Sequence, residues 1–294
     1  MIRVYSILMT GILIVSIGSL IIRWAGEVPA AVIAFYRVFI SSLILAAYGI
    51  KRPVKPPTTA YRNLHWHYVL AGIFLAVHFI SWIASLQMTT IANSIFLVST
   101  HPLFAVILSI LIIREYPTAK TVSAFPLALV GMYLIVSQDM GSMETYVLGD
   151  LLAVLSAASF AAYLLIARLH RGQVDFIGYL VVVYGTAAIV CAIFNLLTGN
   201  RFTGYPGTAW LMMALLALGP HLVGHSILNW CSRQIAVFKV NLALLLEPVV
   251  ATTGGVIFFQ EYPQPVFYYG AGCILAAIIH LLLMEKRTRQ NIST

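Results

Sequence analysis

Arg37 and Glu247 each stand inside a long apolar stretch of the sequence. A charged group among apolar side chains is expensive to desolvate, so it usually faces a protein interior or a water-filled pathway. Arg37 would attract an anionic group of a ligand or hold a carboxylate; the alternative is a side chain that snorkels or ties helices together. Glu247 would take up a proton or bind an amine; the alternative is a structural carboxylate paired with His101 or Arg37.

Four histidines accompany these charges in the apolar stretches, namely His78, His101, His221 and His225. Imidazole titrates near neutral pH, so such residues can relay protons. A histidine at a helix interface is often only a hydrogen-bond partner, and both interpretations stay open at this point.

The residues that chemistry singles out form one candidate set for a substrate pathway. The set joins charged, imidazole, amide, hydroxyl and aromatic side chains that suit the lining of a cavity. Its members are Arg37, His78, Trp82, Ser94, His101, Tyr163, His225, Asn229, Asn241 and Glu247. Pro102 and Pro248 are candidate helix breaks, because proline removes a backbone hydrogen bond and frees carbonyl groups for a polar ligand or cation.

Sequence patterns for metal, cofactor or catalytic sites are absent. His221 and His225 are four residues apart, but no acidic ligand accompanies them. The three cysteines occur singly in apolar segments, at no spacing that suits a metal. There is no His-Glu-x-x-His, Gly-x-Ser-x-Gly or ATP-binding Gly-x-x-x-x-Gly-Lys pattern. We therefore expect no metal, no cofactor and no catalytic residues.

The composition requires a lipid environment for most of the chain. Of the 294 residues, 61% are hydrophobic and only 9% are charged, whereas a soluble domain has roughly 25% charged residues. The net charge of +8 lies in short basic clusters between apolar runs, which indicates membrane topology rather than nucleic-acid binding. We expect a multi-pass protein of the cell membrane, with the lipid bilayer as its partner and no nucleic acid.

The apolar runs predict an all-α integral membrane protein with ten transmembrane helices. Their approximate bounds are 4–22, 31–50, 66–86, 92–113, 120–137, 147–168, 176–197, 208–230, 235–259 and 265–284. Lys and Arg set the orientation, because cytoplasmic loops are enriched in them. With the N-terminus inside, fourteen of the 17 basic residues fall on the inner side, so both termini are predicted to be cytoplasmic.

Two pairs of segments indicate an internal repeat. Pro102 and Pro248 are each followed thirteen residues later by glutamate, and Glu-Tyr-Pro recurs at a shift of 146 residues. Residues 78–87 and 225–234 match at a shift of 147. Five helices per half is an odd number, so the halves, 1–145 and 146–294, would cross the membrane in opposite senses. Inverted repeats are typical of alternating-access carriers whose substrate site lies near the membrane midplane.

Several short motifs, taken in their order and spacing, resemble the EamA-type branch of the drug/metabolite transporter superfamily over nearly the whole chain. They are Ala34-Phe35-Tyr36-Arg37, Thr100-His101-Pro102, Arg114-Glu115, Gly131, Gly149-Asp150, Gly224-His225, Leu228-Asn229-Trp230, Arg233, Leu246-Glu247-Pro248-Val249 and Glu261. The resemblance implies ten helices in an inverted five-plus-five architecture, with both termini inside and export or exchange of small metabolites. The first span departs from the family, because it has Ile17-Gly18 where an aromatic-glycine pair is common.

The leading hypothesis is therefore a secondary transporter, an exporter or exchanger of small metabolites such as amino acids or related compounds. It would work by alternating access, with proton coupling as one option, and a monomer and a homodimer both fit the sequence. The alternative hypothesis is an integral-membrane enzyme acting on a lipid or isoprenoid. A central cavity at mid-depth would favour the carrier, and a lateral pocket near one interface would favour the enzyme.

Overall fold

The computed structural model describes residues 2–50, 65–88, 94, 97–136, 147–171, 175–260, 262 and 265–290. Throughout these ranges the regular structure is helical, with no strand. A lipid environment explains this, because hydrocarbon offers no hydrogen-bond partners and a helix satisfies its backbone groups within one segment.

The helices are numbered α1–α10 in chain order. The uninterrupted ones are α1 Ile2–Trp24, α2 Ala30–Ile50, α3 His65–Met88, α6 Val147–Leu169, α7 Phe176–Leu197 and α10 Pro265–Gln290. The others are made of consecutive pieces: α4 of His101–Leu108 and the π-helical Ser109–Ile113, α5 of Ala119–Val122 and Ala124–Val136, α8 of Gly207–Leu216, the π-helical Ala217–His225 and Ser226–Gln234, and α9 of Val237–Leu244 and Glu247–Phe259.

Seven of these helices are long and apolar enough to cross a membrane, namely α1, α2, α3, α6, α7, α8 and α9. The apolar parts of α4, α5 and α10 are shorter within the described residues, at His101–Ile113, Ala124–Leu134 and Pro265–His280. Each helix falls within or close to one of the predicted spans. The beginning of the predicted fourth span, at residues 92–93 and 95–96, lies outside the described residues.

The interruptions of α8 and α9 differ from the continuous helices that the apolar runs predict. Pro220 lies inside the π-helical segment of α8, where its missing N–H is tolerated because the hydrogen-bond register is already shifted. In α9 the helix stops after Leu244, turns at residues 245–246, and begins again at Glu247. Pro248 occupies the first turn of the new segment, where proline fits without loss of a bond. Glu247 therefore stands at the start of a helical segment.

Most of the helix pairs that pack together exchange when each helix number is shifted by five, although α2–α3, α6–α8 and α6–α9 lack counterparts of similar extent. The contacts of α1 with α8 and α9 have counterparts in those of α6 with α3 and α4. Those of α2 with α8 correspond to those of α7 with α3, and α2–α7, α4–α9 and α5–α10 correspond to themselves. Four of the five largest fully buried side chains lie on α3, α6 and α7, namely Phe79, Tyr163, Tyr179 and Tyr184, and the fifth, Phe238, lies on α9. Helices from both halves of the chain thus share one core.

Small residues allow some of these helices to approach closely. A Cβ atom added at Gly72 of α3 would lie 2.5 Å from the carbonyl oxygen of Val183 and 2.6 Å from Cβ of Thr186, both on α7. Gly185, on α7 itself, has no heavy atom within 4 Å of the corresponding position. The α3–α7 interface therefore depends on the absence of a side chain at residue 72.

We predict that Gly72→Ala lowers the thermal unfolding midpoint of the detergent-solubilised protein, while Gly185→Ala leaves it unchanged or raises it slightly. Overpacking costs about 1–3 kcal/mol when the obstructing atom belongs to the backbone. Alanine at an open helical position is instead favoured by helix propensity. Equal midpoints for the two variants would contradict the close approach of α3 and α7.

Candidate functional site

A partly open cavity of about 840 Å³, counting its mouth, lies among the central helices. Its lining comes from α1, α2, α3, α6, α8 and α9, and from the start of α4 with the residues just before it. Binding sites for small molecules are mostly apolar and carry a few polar groups that orient the ligand. The cavity has this character, because a few charged and imidazole groups stand among apolar side chains.

Seven of the pathway and helix-break candidates line this cavity. They are Arg37, His78, Trp82, His101, His225, Glu247 and Pro248. The other five candidates do not line it: Ser94, Pro102, Tyr163, Asn229 and Asn241. Residues far apart in the chain are thus brought together around one space.

The Arg37 side chain, on α2, is held against an aromatic ring. Its guanidinium carbon lies 4.0 Å from the centre of the Phe79 ring, a cation–π contact. Arg37 is only 3% exposed, and its Nε atom is buried without a hydrogen-bond partner. No carboxylate of the described residues lies within 4.0 Å of its nitrogens. The cation is thus positioned by packing, and its hydrogen-bonding capacity is not used by described residues.

The Glu247 side chain, at the start of the second piece of α9, is partly exposed to the cavity. The two pairings expected for a structural carboxylate, with His101 or with Arg37, are not formed within 4.0 Å. Its charge still interacts electrostatically with that of Arg37. The two opposite charges therefore share one cavity without closing into an ion pair.

His78 connects α3 to α6 at the wall of the cavity. Its Nδ1 atom lies 2.8 Å from the Ser156 hydroxyl and 3.2 Å from the Ser156 carbonyl oxygen. The Ser156 hydroxyl also donates to the His78 carbonyl oxygen at 3.1 Å. The His78 ring lies almost parallel to that of Trp82, with ring centres 6.2 Å apart. These contacts fix the His78 imidazole, and the His78 and Trp82 rings, one helical turn apart, form a flat part of the cavity wall.

His101 opens α4, and Pro102 occupies the first turn of that helix. The His101 ring packs edge-on against Phe160 at 5.3 Å and lies next to the Asn241 side chain of α9. The Asn241 amide donates to the Val237 carbonyl oxygen at 2.9 Å. Asn241 therefore supports the wall from behind His101.

The two histidines of the π-helical segment of α8 have different positions. His225 lines the cavity and packs against Phe79 at 5.2 Å, whereas His221 does not line it and is fully buried against Tyr184 at 4.3 Å. Phe79 and Phe160 also line the cavity, although neither is among the residues that the sequence predicts for the pathway. Phe79 follows His78 directly, but its place against Arg37 depends on how α2 packs on α3.

A layer of paired hydroxyl and amide groups lies behind the cavity. The Asn229 amide donates to the Tyr163 hydroxyl, joining α8 to α6. The Tyr184 and Ser226 hydroxyls lie 3.1 Å apart and join α7 to α8. Because these groups are buried and paired with one another, they form a structural layer between α6, α7 and α8. Ser94 is likewise occupied, with its hydroxyl 2.5 Å from that of Ser85.

Beyond this layer, an ion pair ties the end of α4 to the end of α6. Arg168 donates to both carboxylate oxygens of Glu115, at 2.5 Å from Nη2 and 3.3 Å from Nε. Its Nη1 atom also donates to the Arg233 carbonyl oxygen of α8 at 3.3 Å. Eight residues separate Phe160 from Arg168 on α6, or about 12 Å at 1.5 Å per residue. The ion pair thus joins three helices well away from the cavity.

The sequence model of the EamA-like transporter family matches residues 2–137 and 147–283. The chain belongs to this family. It is a transporter, and with its several apolar helices it is a multi-pass protein of the cell membrane.

Individual relatives of this EamA-like transporter are distant in sequence but cover most of the chain. An uncharacterized transporter of Archaeoglobus fulgidus is 23% identical over 249 residues, or 84% of each chain. An S-adenosylmethionine uptake transporter of Rickettsia prowazekii is 22% identical over 262 residues, or 88% of this chain and 85% of the relative. A solved crystal structure superimposes with a TM-score of 0.82 at 19% identity, covering 97% of this chain and 98% of the other. At this identity, the structural similarity shows that the two proteins share a fold.

We predict that Glu115 and Arg168 of this EamA-like transporter are energetically coupled. Glu115→Gln and Arg168→Gln should each lower the thermal unfolding midpoint, since each leaves a partly buried charge without its partner. The double variant should lose less than the sum, with a coupling energy of about 0.5–3 kcal/mol. Arg171→Gln, which removes an exposed charge near the same helix end, is the control. Additive losses would show that the pair contributes nothing.

Proposed function

We propose that this protein is a secondary transporter that moves small metabolites, such as amino acids or related compounds, across the cell membrane by alternating access. Export or exchange is the proposed direction. The observation that carries the proposal is the cavity shared by helices of both halves, in which Arg37 and Glu247 carry opposite charges without an ion pair between them.

The proposed architecture is an inverted repeat of five helices, with halves 1–145 and 146–294 and both termini in the cytoplasm. The two matches to one family model, at residues 2–137 and 147–283, support two copies of one unit. The exchange of helix contacts under a shift of five helices supports the same symmetry. So do Arg114 and Gln260, which lie 146 residues apart and have left-handed φ values of 53° and 58° where α4 and α9 end.

The same symmetry relates residues within the cavity. His78 corresponds to His225 at a shift of 147, and His101 corresponds to Glu247 at a shift of 146. A cavity lined by equivalent residues of two inverted halves supports a site that each half reaches in turn, as alternating access requires.

The layer of paired side chains and the ion pair beyond it support a closed path between the cavity and one side of the membrane. Under the proposed topology, Glu115, Arg168 and Arg233 lie on the cytoplasmic side, where they join α4, α6 and α8. Substrate moving between the cavity and the cytoplasm would have to pass the Tyr163–Asn229 contact and then this ion pair. We therefore propose that these contacts open together when the cavity faces the cytoplasm.

The named relatives support the amino-acid-related substrate class. The Rickettsia prowazekii relative is called an S-adenosylmethionine uptake transporter, and that compound is an amino-acid derivative. An exchanger moves solute both ways across one cavity, so the proposal accommodates uptake in a relative. The enzyme hypothesis is less well supported, because the cavity lies among helices of both halves and the family consists of transporters.

Proton coupling is a further part of the proposal, and Glu247 is the residue we assign to it. Its carboxylate is partly exposed in the cavity, where a proton and a cationic substrate group would compete for it. Arg37, His78, His101 and His225 line the same cavity, so the charge at residue 247 depends on what else is bound. Binding of substrate would then release a proton.

We predict that Glu247→Gln separates transport from the pH gradient. Proteoliposomes with saturating phenylalanine on both sides should still exchange radiolabelled phenylalanine, because the cavity and Arg37 are retained. An imposed pH gradient should change the rate for the wild type and for Glu27→Gln, an exposed control, but not for Glu247→Gln. A variant that responds to the gradient as the wild type does would contradict the assignment of Glu247.

A further inference from the structure

We propose that the cavity binds a zwitterion in one orientation, with the carboxylate of the ligand on Arg37 and its ammonium group on Glu247. The proposal rests on the proposed transport function and adds the chemical class of the substrate. Its basis is the arrangement of charges in the cavity, taken together with the break in its internal symmetry.

The cavity lining holds one basic and one acidic side chain. Arg37 and Glu247 are the only Lys, Arg, Asp or Glu residues among the described residues of its lining. A ligand with a single charge would satisfy one of them and leave the other without a counter-charge in a mostly apolar space. A ligand that carries a carboxylate and an ammonium group supplies a counter-charge to Arg37 and to Glu247. Because such a ligand has no net charge, its binding leaves the net charge of the cavity unchanged.

Arg37 is suited to a carboxylate by its planar guanidinium. One face is covered by the Phe79 ring at 4.0 Å, so the edge of the guanidinium stays available for hydrogen bonds. No hydrogen bond from the Arg37 side chain to a described residue uses that edge, and Nε is buried without a partner. A buried cation held by packing alone requires an anionic partner to offset its desolvation, and a carboxylate supplies two parallel acceptors.

Glu247 is suited to an ammonium group by its place in the cavity. It accepts no hydrogen bond from the described residues and forms no ion pair within 4.0 Å. An ammonium group on the ligand would supply up to three donors to this carboxylate. Glu247 and Arg37 are not within ion-pair distance of each other, so neither group is neutralised by the other before a ligand binds.

The repeat gives the ligand a single orientation, because the charged residues break its symmetry. In the repeat, the counterpart of Glu247 is His101. The counterpart of Arg37, at a shift of 147 residues, is Tyr184. Tyr184 is fully buried and its hydroxyl is taken up by Ser226, so it does not line the cavity. A ligand turned end for end would meet no guanidinium and no carboxylate at the matching positions. The scaffold is therefore symmetric, and the binding chemistry is not.

The remaining walls suit an apolar or aromatic side group. Trp82, Phe79 and Phe160 line the cavity, and the Trp82 ring is held parallel to that of His78. A flat or apolar substituent on the zwitterion would pack against these rings, while the charged ends are held by Arg37 and Glu247. The class is thus an α-amino acid or a derivative that keeps both charges.

The first experiment compares ligands that differ by one charge. Thermal stabilisation of the purified full-length protein is measured with phenylalanine, phenylethylamine and 3-phenylpropanoate, and with methionine and its two corresponding analogues. A ligand stabilises the folded protein according to its concentration relative to its dissociation constant. We expect at least one of the two amino acids to bind about tenfold or more tightly than either of its analogues. If neither amino acid exceeds its analogues, the proposal is wrong.

The second experiment assigns each charge to its partner by removing both in turn. Arg37→Gln should abolish the preference for phenylalanine over phenylethylamine and keep the preference over 3-phenylpropanoate. Glu247→Gln should do the reverse. Arg201→Gln and Glu27→Gln, which remove exposed charges outside the cavity, should keep both preferences. Arg37→Lys retains the charge and should retain part of the carboxylate preference, which provides a reading if Arg37→Gln folds poorly. A variant that weakens all three ligands equally would reduce its residue to a structural role and overturn the proposal.

The two proposals fail separately. If phenylalanine or methionine binds with the expected preferences but is not exchanged by proteoliposomes, the zwitterion site stands and the transport proposal is wrong. If the proteoliposomes exchange compounds of single charge as rapidly as amino acids, transport stands and the zwitterion site is wrong.

Discussion

Hydrocarbon excludes charge, and the packing of the helices around Arg37 and Glu247 follows from that exclusion. Arg37 and Glu247 can exist within apolar helices because the packed helices enclose a cavity between them that both side chains line. Arg37 is held by the ring of Phe79 rather than by a counter-ion, and Glu247 is placed at the start of a new helical segment by the turn before Pro248. Both placements keep the charges apart, so that the cavity retains two unsatisfied groups of opposite sign.

The scaffold around this cavity combines rigid and divided elements. α3, α6 and α7 pack closely, with Gly72 against the backbone of α7 and with His78 bonded to Ser156. α4, α8 and α9, which supply His101, His225 and Glu247, are interrupted by π-helical segments or turns. Interrupted helices have backbone groups outside the regular ladder, which lets a polar site form within an apolar bundle. The closely packed helices thus support the cavity, and the interrupted helices supply polar groups to it.

The sequence predicted the helices well where a single physical signal decided the outcome. Long apolar runs marked most of the helices to within a few residues, because membrane helices must be both apolar and long. The exceptions are α4, which begins at His101 rather than at 92, and α10, which ends at Gln290 rather than at 284. The π-helical segment of α8 was missed, although Pro220 lies within it, because one proline does not reveal how the hydrogen bonds around it rearrange. Seven pathway and helix-break candidates line the cavity, since polar side chains in apolar runs are few. Phe79 and Phe160 were missed because aromatic residues are common in such runs and only their neighbours distinguish them.

The environment, the family and the set of polar groups available for function were all readable from the chain alone. Each of these follows from composition, motif order or the desolvation of charge, which depend on local chemistry alone. Helix packing, in contrast, set three contacts: Arg37 packs on Phe79 rather than pairing with Glu247, Tyr163 and Asn229 bind each other behind the cavity, and Glu115 pairs with Arg168. Those outcomes depend on how helices distant in sequence are rotated and packed, and a difference of one residue in register would change every one of them.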